Sequence, residues 1–471
     1  MSEPMNKFLE KNRNNKLRID CVGDAMVDQY YKVSVNRISP EFPMPIMRAY
    51  SDKPQCRPGG VANVAHQFRH FEVDVQLFCF TDRLLNNVLK DHDLEVAAEA
   101  ALNVQGWGCA SIPVKRRFLD GDIQVTRLDF EQENYGLKNN LGEFCRIATD
   151  IQLGSDLPDV VILSDYNKGY FTLSSDCTNF LIIEHLNSHG VPTIVDPKAG
   201  PVSKWKGCTV FKPNAKEAED LTGETDWRKQ AEILQNELAC KAVVITHSGS
   251  GVVGIWDGKF FEYSSDKKVD VKSSVGAGDC FVAFLAMAIG HGFEGREAVE
   301  IAYEAGAIYV QRNLNRPITP AELTRTKIVN PQDLANRDYT LAFTNGCFNI
   351  LHDQHIELLK FSKRKGEKLV VALNSDESVK RLKGDRPVKA LHQRMKIMAA
   401  FEFVDFVTAF DEDTPLNIIK QCKPNCIIKG GDYRKEDVVG YGEVQDVHIF
   451  PYKEGVSSTL LIEEIAEWAR K

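Results

Sequence analysis

Two short stretches hold residue types suited to phosphate chemistry. Gly276-Ala277-Gly278-Asp279 stands directly before the apolar run 280–289. Small residues at a helix start leave backbone N–H groups facing an anion. An aspartate directly behind them can take the proton of an attacking hydroxyl, so charge stabilisation and a general base fall within one turn. The plainer alternative is a glycine-rich turn with an acidic residue at a helix start, and four residues alone do not decide between the two. The second stretch contains Thr344, Asn345, Gly346, Phe348, His352 and His355. Histidines three apart share one helix face. At a helix start both can donate to phosphate oxygens and stabilise charge as pyrophosphate leaves an α-phosphate. A metal reading is weaker, because that face offers no third ligand.

These stretches need elements to hold them. Short Val- and Ile-rich runs at Leu17–Gly23, 159–164, Thr193–Asp196 and 242–246 read as buried parallel strands. Apolar Ala298, Ile301, Ala302, Ala305 and Ile308 recur at helical spacing. The alternation predicts an α/β sheet covered by helices. Pro317, Pro320 and Pro331 break the rhythm. A first domain over 1–325, a linker over 326–338 and a second α/β domain over 339–471 are expected. In the second, strands are expected at 340–343, 368–373, 403–408 and 426–428, with a helix from about Asp353. The GxGxxG match at 249–254 leads into a hairpin-like run, not the helix that a dinucleotide fingerprint needs. No GxxxxGK[ST] occurs, so an ATP site here is not of P-loop type.

The 471 residues suit two or three domains, and 43% hydrophobic content can build a core without staples. A net charge of −8 argues against nucleic acid and anionic membrane as partners. The longest apolar run is about half of the ~20 residues that span a bilayer. Twelve scattered cysteines without a CxxC pair indicate a reducing cytoplasm. Basic residues from Lys360 to Lys368 read as a solvated helix end.

Further segments add to the first site: Asp28, Gly59-Gly60-Val61-Ala62-Asn63, Asn214-Ala215-Lys216-Glu217, and Thr246-His247-Ser248-Gly249-Ser250-Gly251. In this order and spacing they resemble the ribokinase-like sugar kinases. With 37–41, 127–131, Leu163-Ser164-Asp165-Tyr166 and Asp196-Pro197-Lys198, the set most closely resembles the bifunctional heptose 7-phosphate kinase/heptose 1-phosphate adenylyltransferase family. The resemblance implies a three-layer ribokinase-like domain over about 17–325, with Asp279 as base and Gly276, Ala277 and Gly278 as anion hole. It implies that Asn214 and Glu217 hold Mg²⁺–ATP through water. Ala215, Lys216, Thr246, Ser248, Gly249 and Gly251 would border the nucleotide, and Asp28, Gly59, Gly60 and Asn63 the sugar. Phosphoryl transfer asks a protein mainly for positioning and neutralisation, which these residue types supply. Ser273-Ser274-Val275 departs from the family's pattern by lacking an aspartate before the glycines.

The region 339–471 resembles the nucleotidyltransferases with an HxGH signature. This implies a smaller Rossmann-like domain with His352 and His355 on the triphosphate, and Thr344, Asn345, Gly346 and Phe348 around them. Ser457, Ser458 and Thr459 would lie near the nucleotide, and Lys383 and Arg394 would neutralise phosphates. Lys429 either contacts the nucleotide or supports the strand end. The signature glycine is Gln354, and Asn349 replaces an aspartate. Gln354 either crowds the triphosphate or donates to it. A kinase joined to a nucleotidyltransferase implies sugar activation. Phosphorylation at O1 of a 7-phosphoheptose would be followed by removal of the 7-phosphate by a separate phosphatase. Adenylyl transfer would then give ADP-heptose, a precursor of lipopolysaccharide core. Mg²⁺, ATP and a homodimer are expected. The alternatives are another sugar phosphate, CTP, or a second domain reduced to nucleotide binding or dimerisation.

Overall fold

The structure, a computed structural model, describes residues 2–92, 94, 102–103, 112–121, 123–131, 157–171, 176–198, 200–247, 250–264, 269, 271–312, 316–324, 327–335, 337, 339–384, 387–431 and 433–451. The chain divides into two compact units, Met1–Ile318 and Thr319–Lys471. Among the described residues no helix is long and apolar enough to cross a membrane.

The first unit is built on an eight-stranded sheet. In spatial order its strands are Lys259–Tyr263, Gly251–Trp256, Ala242–His247, Val210–Phe211, Thr193–Asp196, Val160–Ser164, Leu17–Gly23 and Val73–Phe78. The last six run parallel and the first two close one edge as an antiparallel hairpin. Val160–Ser164 is buried throughout, as helices on both faces of a parallel sheet require. Trp205, Phe211, Ile183 and Leu234 fill one core cluster, each side chain contributing about 1.5–3 kcal/mol by burial. Strand order reverses at Leu17–Gly23, so the crevice outside the strand ends there is where a doubly wound sheet takes ligands. The helix Ala277–Gly290 presents its N-terminus to the same region, with residues 279–288 buried.

A second sheet, with strands Pro45–Ala49, Ala25–Ile38, Val114–Asp120 and Ile123–Phe130, was not expected. Gln55–Gly60 also pairs with its long strand, Met26 opposite Gly59. Its strands carry several charged residues, such as Lys115, Arg116 and Arg117, and so lack the apolar runs of the main sheet. The N-terminal helix Glu3–Asn14 was missed as well; Met5, Phe8, Leu9 and Asn12 form its buried stripe.

The second unit is a five-stranded, all-parallel sheet in the order Phe406–Phe410, Lys368–Asn374, Leu341–Gly346, Cys426–Gly430, Asp446–Phe450. This 3-2-1-4-5 order has its switch point between Leu341–Gly346 and Cys426–Gly430. The segment expected as a linker is part of this unit. Val329 donates to the Val407 carbonyl at 3.0 Å, and Val329 and Leu334 are buried in its core with Leu341 and Phe406. The segment's one proline, Pro331, opens the 3₁₀ helix Pro331–Leu334 without releasing the chain from the fold.

Candidate active sites

Asp279 sits in the first turn of Ala277–Gly290, 5% exposed. Gly276 precedes it with φ +77°, a left-handed backbone that favours glycine. Asn63 Nδ2 donates to Asp279 Oδ2 at 2.6 Å, and the Tyr166 hydroxyl donates to Oδ1. Burial raises the Asp279 carboxyl to about pH 6. The two hydrogen bonds and Lys212 pull it down, and Asp196 pushes it up. The Ala277 N–H is directed at the Ser274 carbonyl, 3.2 Å away. Of the residues expected to form the anion hole, Ala277 thus has its N–H engaged within the turn.

A cavity of about 740 Å³ opens in front of Asp279. Its wall holds four carboxylates, Asp165, Asp196, Glu217 and Asp279, and two ammonium groups, Lys198 and Lys212. Lys212 pairs with Asp196 at 2.9 Å and Lys198 with Glu217 at 2.6 Å. Asn214 caps the helix Ala215–Thr222 by accepting from the Glu217 N–H at 2.9 Å, and Glu217 accepts from the Asn214 N–H at 2.8 Å. This reciprocal box explains Asn-x-x-Glu as a helix start as well as a site motif. Thr246 and Gly251 line the cavity, with Val252, Val271 and Val310 forming an apolar wall. Lys216 does not join it: that side chain is exposed and pairs with Asp220 at 2.6 Å. Ser248 and Gly249 lie outside the described residues.

The residues expected around the sugar are engaged within the chain. Asn63 reaches Asp279 directly. Asp28 is buried against Arg117, which donates to its Oδ1 from Nη2 at 3.0 Å and Nε at 3.2 Å. Burial raises the Asp28 carboxyl, and Arg117 opposes that. Gly60, at φ +62°, would drive a Cβ to 2.3 Å from the Asp24 carbonyl, so it is required by the chain's own backbone. Three residues missed as candidates belong to the site: Tyr166, Lys212 and Asp24. Asp24 accepts the N–H groups of Tyr166, Lys168 and Tyr170 at 2.9–3.0 Å, fixing the loop that carries Tyr166. The Tyr166 ring lies 5.9 Å from the Lys115 ammonium and 5.8 Å from that of Lys198.

In the second unit the strand Leu341–Gly346 ends in Thr344, Asn345 and Gly346, and the helix Asp353–Lys363 follows. His352 is its N-cap and His355 lies in its first turn; the rings are 3.8 Å apart. Phe348, held at φ +45°, packs its ring 5.2 Å from His355. Burial lowers both histidines; His355 falls to about pH 4, with His352 and Lys383 adding to the effect. Both rings are therefore neutral at pH 7. The Nδ1 atoms of both, and Thr344 Oγ1, are buried without a hydrogen-bond partner. Such a set suits a ligand that brings polar atoms. Register places Thr344 opposite Ile428, so Lys429 sits across the switch point from Asn345; burial lowers its ammonium.

Arg394 corrects an expectation. Its side chain is fully buried and donates to the carbonyls of Cys347, Asn374 and Lys389 and to Asp376. It braces the strand ends and is not free to neutralise a phosphate. Lys383 is exposed. Gln354 is 4% exposed, packed into the unit rather than pointing to solvent. Asn349 Oδ1 accepts from the Val388 N–H at 2.7 Å. Ser457, Ser458 and Thr459 lie outside the described residues.

Residues 171–321 match the pfkB family carbohydrate kinases and residues 343–464 the cytidylyltransferase-like family. The bifunctional protein HldE of Campylobacter jejuni (serotype O:6, strain 81116) is 35% identical over 98% of this chain and 100% of its own length. The chain belongs to the bifunctional HldE family. HldE of Coxiella burnetii is 32% identical over 96% of this chain and 97% of its own. Phosphofructokinase-2 from Escherichia coli superposes with a TM-score of 0.51 at 17% identity, covering 66% of this chain and 97% of that one. That likeness shows a ribokinase-like fold. As in the HldE family, a sugar kinase and a nucleotidyltransferase are joined in one polypeptide, and both use the α/β frameworks described above.

Proposed function

We propose that the protein phosphorylates D-glycero-D-manno-heptose 7-phosphate at O1 with ATP. A separate phosphatase then removes the 7-phosphate, and the second unit transfers AMP from ATP to heptose 1-phosphate, releasing pyrophosphate and ADP-heptose. The observation that carries the first step is the buried Asp279 carboxylate at a glycine-led helix start, facing a cavity with Lys198 and Lys212. Asp279 takes the O1 proton as that oxygen attacks the γ-phosphorus, and the bond to the bridging oxygen of ADP breaks. Tyr166 holds Asp279 Oδ1, so the sugar hydroxyl displaces it or uses a remaining lone pair. Lys198, Lys212 and the helix N–H groups face the charge carried to ADP. The apolar wall at Val252, Val271 and Val310 suits an adenine.

The wall residues fit Mg²⁺. Asp165 is paired with the buried Lys204 at 2.6 Å, Asp196 with Lys212 and Glu217 with Lys198, so each wall ammonium already faces a carboxylate and a bound triphosphate needs further cations. Asn214 and Glu217 are already tied to each other, which favours holding a hydrated ion through water. When bound, Mg²⁺ would supply charge neutralisation for the transferring phosphoryl group.

In the transferase, neutral His352 and His355 each offer one N–H, and the helix start adds its dipole. Lys383 adds positive charge near His355, and Lys429 would add it from the neighbouring strand end. We place the enzyme in the cytoplasm as a homodimer, a state supported by exposed Ile38 and Ile123 on strands of the smaller sheet and Tyr50 directly after one. The test supplies synthetic heptose 7-phosphate and heptose 1-phosphate separately with Mg²⁺–ATP. Bisphosphate from the first and ADP-heptose with pyrophosphate from the second are expected. Turnover of neither, beside turnover of another sugar phosphate, would reject the substrate assignment.

A further inference from the structure

We infer that Gln67 is a positioning residue for the kinase base, locking the Asn63 amide so that its NH₂ group faces Asp279. The inference rests on Asp279 being that base. Asn63 lies in the helix Val61–His66 and Gln67 opens the 3₁₀ turn that continues it, four residues on and on the same face. Both side chains are buried, at 1% and 0% exposure. Gln67 Nε2 donates to Asn63 Oδ1 at 3.2 Å, and Asn63 Nδ2 donates to Asp279 Oδ2 at 2.6 Å. Gln67 Oε1 is buried without a hydrogen-bond partner.

An amide can present either end. An ionised carboxylate only accepts, so it selects the Asn63 NH₂; a protonated one can donate and is equally served by the Asn63 oxygen. Gln67 removes that second option by occupying the oxygen with a donor. The chain Gln67–Asn63–Asp279 therefore favours the ionised base over the protonated acid. Gln67 does not line the cavity, and its hydrogen bond goes to Asn63 rather than to Asp279, so its effect on the base is transmitted through Asn63. The other groups facing Asp279 are Tyr166, Asp196, Lys198, Lys212, Tyr309 and Cys280, whereas the hydrogen bond of the Gln67 side chain goes to Asn63.

The test measures kcat/KM of sugar phosphorylation against pH for the full chain, Gln67→Leu and Gln67→Glu, with circular dichroism melts of each. Gln67→Leu removes the donor that holds the Asn63 oxygen, and leaves beside the amide the Tyr309 hydroxyl, which can serve either end of it. Its acidic limb should move up by about half a pH unit to one unit. That corresponds to a roughly three- to tenfold loss well below the limb and little change above it. An ionised Gln67→Glu side chain draws the Asn63 NH₂ to itself, so its limb should move further. A purely structural role would lower the whole profile or the melting temperature without moving the limb. An unmoved or downward-moved limb in a folded variant overturns the inference, as does loss of folding in both variants. A wild-type profile without any acidic limb, or an active Asp279→Asn, would instead remove the base assignment itself.

Discussion

Burying the Asp279 carboxyl raises it to about pH 6, even with Tyr166 and Asn63 donating to it. Desolvation of the charged form outweighs both bonds. A raised base is protonated, and useless, over more of the acid range. Kinase kcat/KM should therefore fall tenfold per unit as pH drops through about 6 and be flat above it, until another group titrates. Asp279→Asn should cost about 10²–10⁴ in kcat while ATP affinity, read by calorimetry, changes little. In the other unit, His355→Ala should slow pyrophosphate release by about 10²–10³, since it removes one donor to the departing charge. Asp279, His352 and His355 were readable as candidates because each stands within a local motif. Lys212 and Arg117 were not: Arg117 acts on Asp28 across 89 residues of chain, and such pairings depend on tertiary packing. The bond between Asn63 and Asp279 was not readable either, because the two lie 216 residues apart.

The parallel strands were readable from short Val and Ile runs because both their faces are buried. The smaller sheet was not, because strands such as Val114–Asp120 mix charged and apolar residues without a regular alternation. Proline spacing pointed to a break near the unit boundary but not to what lies after it. Lys327 and Val329 pair with Val407, and Leu334 is buried at 1% exposure. A fragment starting at 335 loses Val329 and Leu334 from its core, each worth about 1.5–3 kcal/mol. We expect 319–471 to unfold cooperatively at a higher urea midpoint than 335–471, by a margin visible in ordinary fluorescence titration. Equal midpoints would mean that the segment adds nothing to the unit.

Two chemistries in one chain should be separable by point changes: Asp279→Asn should spare adenylyl transfer and His355→Ala should spare sugar phosphorylation, each assayed in the full-length protein. Assembly is testable on the smaller sheet. Ile123 and Tyr50 are more than two-thirds exposed, an unusual load of apolar surface for sheet strands and their edges. Ile123→Asp with Tyr50→Asp should shift sedimentation from dimer to monomer without changing the circular dichroism spectrum; an unchanged sedimentation coefficient would place the interface elsewhere. Strand order also has a consequence for how the protein is made. Leu17–Gly23 lies at the switch point, and one of its two neighbours, Val160–Ser164, comes about 140 residues later. At ~5–20 residues per second that is roughly 7–30 s of synthesis during which one edge of the first strand waits beside the ribosome without its partner. Birth order and strand order are thus out of step, and the nascent chain should depend on chaperones over that interval. Pulse proteolysis of stalled nascent chains reads this directly: protection of the N-terminal region should appear only once Ser164 has cleared the exit tunnel, and protection in shorter chains would show that the early strands settle without it.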